Sequence, residues 1–249
     1  MSMEKLRTYY FGLYGENGIT QFFYDQLMEI MKTAKADRSA ALKKQDKKGN
    51  DWYLSEKMVG MMLYLDKFSE NLSNFEKRID YLADLGVTYV HFMPLLQSRE
   101  GQNDGGYAVS DYLNVDKRFG TTEQFEHVID RLKKKGIRTC IDFVLNHTAK
   151  EHEWALKSRK NEPGYEDMYY MFDNYGIPSE YEKTLTEIFP QVAPKNFTYY
   201  EDIGKFVMTR FYEFQWDLNY KNPNVFNRIA HVLLTLANKG IDIFRLDAI

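Results

Sequence analysis

An arginine and an aspartate stand together at the end of the last apolar run of the sequence. Arg245 and Asp247 are two positions apart, so in a strand their side chains face the same side. A charged pair on an otherwise apolar strand is costly unless the groups pair or serve a function. The arginine would keep the aspartate ionised and oriented, which suits a carboxylate nucleophile. The alternative is an ion pair with a purely structural role.

Further polar residues follow the earlier apolar runs. Asn146 and His147 end the run that begins near residue 137, and Asp142 lies deeper within it. His147 either binds a ligand or is a hydrogen-bonded histidine that caps a strand end, and Asp142 fits a structural or a catalytic role. Asp104 precedes two glycines, where it either binds a sugar hydroxyl or only fixes the turn. The sequence has no HxH, HExxH or paired-cysteine spacing, which disfavours metal ligation.

These residues need a scaffold that gathers the ends of several strands. Apolar runs predict strands at residues 59–65, 87–93, 137–145 and 241–246, and helical spacing predicts helices at 75–85, 121–135 and 224–239, each followed by a glycine. Apolar strands that alternate with helices predict an α/β fold with parallel strands buried on both faces. A doubly wound sheet and a (β/α) barrel both fit. No glycine-rich phosphate loop follows the first strand, which disfavours a nucleotide-binding domain.

Two segments lie outside this alternation. Residues 1–55 are polar with helical spacing, and we expect them to form an N-terminal helical segment ahead of a main domain at 56–249. Residues 149–223 hold five of the six prolines and are predicted to form a long irregular insertion after the third strand. Loops of this length are usually functional, and they follow strands at the end where barrels build active sites.

Composition restricts the class of function. The chain has 249 residues and a formal net charge of −3, which argues against a nucleic-acid partner. The run KKQDKK at residues 43–48 is interpreted as a solvated loop. The single cysteine, Cys140, excludes an internal disulfide and is expected to be a buried thiol. No signal peptide or membrane span is recognised, so we expect a cytoplasmic protein without a membrane partner. Aromatic residues make up 16% of the chain, which fits an aromatic core or a sugar site.

The polar runs resemble signature regions of glycoside hydrolase family 13, the α-amylase family. The run DFVLNH at residues 142–147 is similar to the first signature region of that family, and FRLDA at 244–248 is similar to the second, which carries the nucleophile. Four further runs are similar to amylosucrases and their sucrose-hydrolysing relatives: DWYLS at 51–55, NDGGYAV at 103–109, EIFP at 187–190 and FQWDLN at 214–219. The likeness extends from about residue 51 to the end of the chain.

The resemblance implies a (β/α)8 barrel. Residues 56–249 would supply its first four βα units, and residues 149–223 would be an inserted B-type subdomain. It also implies retaining glucosyl transfer from sucrose to an α-glucan through a covalent glucosyl-enzyme, with fructose leaving. Asp247 would be the nucleophile and Arg245 would position it. Six residues would bind or enclose the sugar: Asp104, Tyr107, His147, Phe189, Phe211 and Gln215.

The resemblance also bears on cofactors and completeness. Asn146 matches a calcium ligand of many α-amylases, but amylosucrase-like members do not generally use that site, so we expect no metal and no other cofactor. The general acid/base glutamate and a transition-state aspartate would lie beyond Ile249. We therefore expect a longer protein, or a half barrel lacking its C-terminal half, that binds sugar weakly and does not turn over. A hydrolase of sucrose or other α-glucosides, and a non-catalytic sugar-binding or assembly module, are the alternatives.

Overall fold

A computed structural model of the protein describes residues 2–47 and 51–248. Its helices are α1 (Met3–Tyr14), α2 (Gly18–Asp37), α3 (Ala40–Asp46), α4 (Leu65–Ser69), α5 (Leu72–Glu76), α6 (Ile79–Asp84), α7 (Thr122–Lys134), α8 (Glu153–Arg159), α9 (Gly176–Glu182) and α10 (Pro223–Asn238). Its strands are β1 (Gly60–Leu63), β2 (Tyr89–Phe92), β3 (Leu96–Ser98), β4 (Val109–Val115), β5 (Arg138–Val144), β6 (His147–Ala149), β7 (Met171–Phe172), β8 (Phe197–Tyr200), β9 (Lys205–Met208), β10 (Gln215–Asp217) and β11 (Ile243–Asp247). Short 3₁₀ helices occupy Asp51–Leu54 and Asp104–Gly106.

The chain divides into two compact units. The sheet unit comprises Asp37–Asn146 and Leu233–Ile249, and the insert unit comprises Met1–Ala36 and His147–Val232. The chain therefore passes from one unit to the other near residues 36, 146 and 232. The domain bounds expected from the sequence, 1–55 and 56–249 with an insertion at 149–223, stay a prediction.

The sheet unit is built on a parallel sheet with the strand order β1-β2-β5-β11. Each neighbouring pair is parallel, and the order in space is the order along the chain. The four predicted strands are therefore confirmed, with ends that differ by up to two residues. In the part of the chain that the structure describes, the sheet is open and has β1 and β11 as its edges. Barrel closure is an expectation about a longer protein.

One face of this sheet packs on helices through aromatic rings. Phe92 of β2 contacts Phe75 of α5 and Phe125 of α7, with ring centroids 4.9 Å and 5.6 Å apart. All three side chains are buried, so each contributes roughly 1.5–3 kcal/mol of hydrophobic stabilisation. Strand alternation sends the neighbouring residues to the opposite face. That face carries the polar residues of β2, β5 and β11.

The sequence of α7 contains the signals that begin a helix, give it a buried face and end it. Thr121 caps the helix, and Gln124 reaches back to the cap in a capping box. The residues that α7 buries recur at helical spacing: Phe125, Val128, Ile129 and Leu132. Gly136 follows with φ +75°, a conformation that ends helices and favours glycine. The helix predicted at 121–135 is confirmed.

The insert unit has its own core and its own sheets. Tyr10, Phe11, Tyr24 and Leu27 form a buried cluster, against which Phe226 of α10 packs. The side-chain amide of Asn227 in α10 donates to the carbonyl oxygen of Phe23 in α2 at 2.8 Å, which ties the two helices together. Strands β6 and β10 pair antiparallel, and β7, β9 and β8 form a three-stranded sheet.

Two expectations about elements need correction, and one hairpin was missed. Residues 75–85 do not form one helix, because the N–H of Arg78 bonds the carbonyl of Phe75 in a tight turn between α5 and α6. The apolar spacing is kept across that turn, so periodicity alone could not reveal it. The stretch 149–223 is not irregular but begins at the end of β6 and contains α8, β7, α9, β8, β9 and β10. The hairpin of β3 and β4 was not predicted.

The interpretation of residues 43–48 as a loop was also wrong where the structure describes them. Residues 43–46 belong to α3, whose start is capped by Ser39 accepting a hydrogen bond from the backbone of Leu42. The lysines of this helix are exposed, as expected for a charged run, whereas Leu42 is buried. Lys48 lies outside the described residues.

Candidate active site

The centre of the candidate site in the sheet unit is a guanidinium shared by two carboxylates. Arg245 on β11 is aligned in register with Asp142 on β5. Its Nη1 donates to Oδ1 of Asp142 at 3.0 Å, and the same nitrogen donates to Oδ1 of Asp247. The Asp142 side chain is 1% exposed, so Arg245 supplies the positive charge that a carboxylate at this depth requires. Asp142 is therefore bonded to the same arginine as Asp247, and its role, structural or catalytic, stays a prediction.

The electrostatics of Asp247 reflect its burial. Burial raises the pKa of the Asp247 carboxyl above its ordinary value, and the nearby carboxylates of Asp142 and Asp104 also raise it. The charge of Arg245 and its hydrogen bond act in the opposite direction. A carboxylate whose charge is only partly compensated is more basic than one in water, which suits a group that must attack carbon.

Asp104 and Tyr107 are positioned by a strained loop between β3 and β4. Asp104 has φ +54° and Gly106 has φ +99°, and the Asn103 side chain accepts a hydrogen bond from the N–H of Gly106. A Cβ on Gly106 would lie 2.8 Å from Cβ of Pro94, so no larger residue fits there without movement. Glycine at this position is therefore required by both backbone conformation and space.

Tyr107 lies within the electrostatic field of the same carboxylates. Burial raises the pKa of its hydroxyl well above the ordinary tyrosine value, and the charges of Asp142 and Asp247 act in the same direction, while Arg245 opposes them. The hydroxyl therefore stays protonated and can both donate and accept a hydrogen bond. The structure thus brings together five of the predicted residues: Asp104, Tyr107, Asp142, Arg245 and Asp247.

Asn146 and Cys140 are two further residues of the sheet unit, one just after β5 and one within it. Asn146 is half-buried in the bend that follows β5, one residue after Leu145, whose N–H bonds the carbonyl of Asp247 at 3.4 Å. Cys140 is fully buried in β5, and burial raises the pKa of its thiol. The expectation of a buried thiol is confirmed.

The other four predicted residues meet in the insert unit. His147 on β6 is buried, and the side-chain amide nitrogen of Gln215 on β10 lies 3.0 Å from its Nε2. An amide nitrogen is a donor only, so this contact is a hydrogen bond in the tautomer that leaves Nε2 without a hydrogen. The Phe211 ring lies 4.9 Å from the His147 ring and 6.1 Å from the Phe189 ring, measured between centroids. Pairing of β6 with β10 creates this group.

Sequence reasoning missed two side chains next to the sheet-unit group. His91 on β2 has Nε2 3.4 Å from Oδ2 of Asp142. The hydroxyl of Tyr64, at the end of β1, acts on the pKa of Tyr107. A polar residue inside the apolar run Val90-His91-Phe92 was the available signal for the first. Nothing distinguished Tyr64 from other exposed tyrosines.

Metal-ligand clusters and membrane-spanning helices are both absent from the described part of the chain. No group of three or more histidine, cysteine, aspartate or glutamate side chains within residues 2–47 and 51–248 could hold a metal ion. No described helix combines the length and the apolar character needed to cross a membrane.

The chain is similar to known proteins in sequence and in fold. Residues 70–249 match the family model described as "Alpha amylase, catalytic domain". "Maltase 1" of Drosophila virilis is 36% identical over 184 residues, which cover 72% of this chain and 28% of that protein. "Trehalose synthase" of Pimelobacter sp. is 36% identical over 174 residues, which cover 70% and 29%. The chain thus spans less than a third of the length of these two relatives.

A solved structure extends the likeness to three dimensions. A crystal structure of a MutB mutant in complex with the substrate sucrose matches with a TM-score of 0.68 and 28% sequence identity. The match covers 80% of this chain and 36% of that one.

Proposed function

The chain belongs to the α-amylase family, a family of glycosidases and glucosyltransferases, and from that premise we propose that it carries the nucleophile of a sucrose-active enzyme. In this proposal the natural protein transfers the α-glucosyl group of sucrose to an α-glucan, as amylosucrases do, through a covalent glucosyl-enzyme. The relative that binds sucrose, MutB, supports a sucrose-related substrate. Asp247 is the proposed nucleophile.

One observation carries the proposal, namely the sharing of Arg245 between Asp142 and Asp247. The shared guanidinium fixes the orientation of the Asp247 carboxylate, and burial keeps that carboxylate basic. An oriented, basic carboxylate is what the first step of retaining glycoside cleavage requires. The Asp247 side chain is 18% exposed, so its carboxylate is less solvated than one in a surface ion pair.

The proposed first step forms one bond and breaks another. An Asp247 oxygen attacks the anomeric carbon of the glucosyl group, and the electron pair of the glycosidic bond leaves with the fructosyl oxygen. The departing oxygen needs a proton from a carboxylic acid, which the family resemblance assigns to a glutamate outside the described residues. Acceptor or water then attacks the same carbon and releases Asp247.

The remaining predicted residues have binding roles in this proposal. Asp104 accepts hydrogen bonds from sugar hydroxyls, and the Tyr107 ring offers an apolar face with a hydroxyl that both donates and accepts. In the insert unit, His147 and Gln215 are proposed as sugar-binding groups backed by Phe211. Hydrogen-bonding side chains of this kind suit the hydroxyl groups of a sugar.

A product analysis tests the proposal. The natural full-length protein is incubated with sucrose, and fructose, glucose and polymer are measured over time. Transfer predicts fructose in excess of glucose together with a growing α-glucan. Asp247→Asn should reduce fructose release by about three orders of magnitude or more, because the nucleophile is lost. Asp130→Asn, a change of an exposed carboxylate on α7, is the matched control and should retain wild-type rates.

Hydrolysis is the second candidate function, because a relative of this chain is named as a maltase. Water would then replace the glucan as the attacking group. Equal amounts of glucose and fructose would favour hydrolysis of sucrose, and glucose release from maltose but not sucrose would favour a maltase. Sugar-induced thermal stabilisation without any cleavage would favour a binding or assembly module and count against both enzymatic readings.

A further inference from the structure

A histidine that the proposed mechanism does not use lies against the buried carboxylate of the site. His91 on β2 has a side chain only 10% exposed, and its Nε2 is 3.4 Å from Oδ2 of Asp142. Neither atom makes a hydrogen bond within the described part of the chain. The other oxygen of Asp142, Oδ1, accepts from Arg245. The two oxygens of Asp142 therefore face two different nitrogen donors.

Strand register explains this arrangement. His91 is paired with Cys140 on β5, two residues before Asp142, and Asp142 is paired with Arg245 on β11. Because side chains alternate along strands, His91, Asp142 and Arg245 all project from the same face of the sheet. Three adjacent strands each contribute one of the three groups. The contact thus follows from the pairing of the sheet and not from a mobile surface chain.

The lack of hydrogen bonds at Nε2 of His91 and Oδ2 of Asp142 is informative because both side chains are buried. A buried carboxylate oxygen without a donor is costly, and so is a buried imidazole nitrogen without a partner. A small approach would bring the two atoms to about 2.7–2.9 Å, the usual length of a charge-assisted bond. An Nε2–H group of His91 is a donor and Oδ2 of Asp142 is an acceptor, so the two atoms can form a hydrogen bond.

We propose that His91 is a positioning residue that holds Oδ2 of Asp142 and thereby keeps the Arg245 guanidinium directed at Asp247. Arginine and a free carboxylate prefer a two-bond pairing. With Oδ2 held by His91, Asp142 takes one bond from Arg245, and the guanidinium remains shared with Asp247. Without His91, Asp142 is free to take a second bond and to draw Arg245 away from the nucleophile. The inference rests on the proposed function in its assignment of Asp247.

Three substitutions in the natural full-length protein test this role. His91→Leu removes the donor, His91→Gln places an amide N–H near the position of Nε2, and His91→Asn has the same amide on a side chain too short to reach. We expect kcat to fall about tenfold or more for Leu and Asn, with KM changed less than about twofold, because one charge-assisted bond is lost. His91→Gln should recover most of the wild-type kcat. Unfolding temperatures, measured alongside, identify any variant that is not folded.

Measurements on two substrates separate the test of His91 from the test of sucrose as the natural substrate. Rates are measured on sucrose and on 4-nitrophenyl α-glucoside, since the second substrate reports on Asp247 whatever the natural donor is. Wild-type release of nitrophenol without release of fructose would contradict the sucrose proposal and leave the His91 test intact. Equal kcat for wild type, Leu and Gln variants on the chromogenic substrate would overturn the role of His91.

A double-mutant cycle then shows whether His91 acts through Asp142. In an Asp142→Asn background, the further change His91→Leu should lower kcat less than about twofold, because the contact it removes has already changed. An undiminished loss in that background would mean that His91 acts on the site by another route, and the inference would fail.

Discussion

Arg245 and Asp142 lie directly opposite each other on neighbouring parallel strands and share a 3.0 Å hydrogen bond between Nη1 and Oδ1. The Asp142 side chain is almost fully buried, whereas that of Arg245 is 47% exposed. The cost of burying the carboxylate is therefore offset by a cation that still reaches solvent. The same guanidinium contacts Asp247, so the ion pair that stabilises the sheet also orients the proposed nucleophile.

Removing Arg245 should destabilise the protein by leaving Asp142 buried without its cation. We expect Arg245→Leu to lower the free energy of unfolding by about 2 kcal/mol, less than for a fully buried pair because Arg245 is partly solvated. Urea unfolding measures the change. The double variant Arg245→Leu with Asp142→Leu should regain most of the loss, because no buried charge remains.

The control for this prediction is an exposed ion pair. Lys135 and Asp80 are 2.7 Å apart with both side chains largely solvated. Lys135→Leu should change the free energy of unfolding by less than about 1 kcal/mol. Equal losses for Lys135→Leu and Arg245→Leu would show that the buried carboxylate does not depend on Arg245.

The raised pKa of Asp247 predicts a pH-dependent stability difference. Its folded-state pKa lies above the unfolded value, so the folded protein binds this proton more tightly. The stability from this group is fully present below the ordinary value of about 3.9 and is lost as pH rises through the raised value. Asp247→Asn should therefore be more stable relative to wild type at pH 7 than at pH near 3.5.

Unfolding temperatures of wild type and Asp247→Asn, measured from pH near 3.5 to pH 7, test the direction of this stability difference. A difference that shrinks as pH rises would contradict the raised pKa of Asp247. The same shift predicts that the acidic limb of the kcat/KM profile has its midpoint above the ordinary pKa of an aspartate. Asp130→Asn again serves as the control and should show no such trend.

Gly106 should not tolerate alanine. The substitution combines a φ of +99° with a Cβ only 2.8 Å from Cβ of Pro94. We expect a loss of about 2–4 kcal/mol in the free energy of unfolding, with weakened sugar binding because Tyr107 follows directly. Gly101 is the matched control, since it has φ +74° but nothing within 4 Å of an added Cβ. Gly101→Ala should cost about 1 kcal/mol, the backbone term alone, and similar losses at both positions would exclude the clash.

Gln215 should matter for sugar binding and for stability in the insert unit. Gln215→Leu removes the amide that lies 3.0 Å from Nε2 of His147 and should lower the free energy of unfolding by about 1–3 kcal/mol. Sugar-induced thermal stabilisation should fall with it. Gln21→Leu, which removes a surface amide bonded to Asp25, should leave both quantities near wild type. Wild-type sugar stabilisation in Gln215→Leu would argue against this group as a binding site.

Local features of the sequence predicted the helices and strands whose signals lie within a short segment. The helix at 121–135 could be read from its cap, its apolar spacing and its terminal glycine, and the four parallel strands from their apolar runs. The turn between α5 and α6 could not be predicted, because the buried residues of the two helices keep helical spacing through it. The hairpin of β3 and β4 escaped because its register is irregular and its strands do not alternate cleanly.

The features of the candidate site also fall into two groups. Short segments of sequence reveal some of them, and the others depend on strand pairing. Apolar context and strand alternation placed Arg245 and Asp247 on one face of a strand and placed Asp142 deeper within its own strand, because these are properties of short segments. The contact of Asp142 with Arg245 depended on the pairing of β5 with β11, which joins residues about a hundred positions apart. The grouping of His147 with Gln215 likewise depended on β6 meeting β10.

The sequence by itself determined the family, the main strands and helices, and the identity of the charged residues, since these depend on short-range patterns. Only the tertiary structure decided which charges share a partner and that His91 faces Asp142. Those contacts arise from strand register, in which a shift of one residue would turn each side chain to the opposite face. Register is set by packing across the whole sheet, and no short segment contains that information.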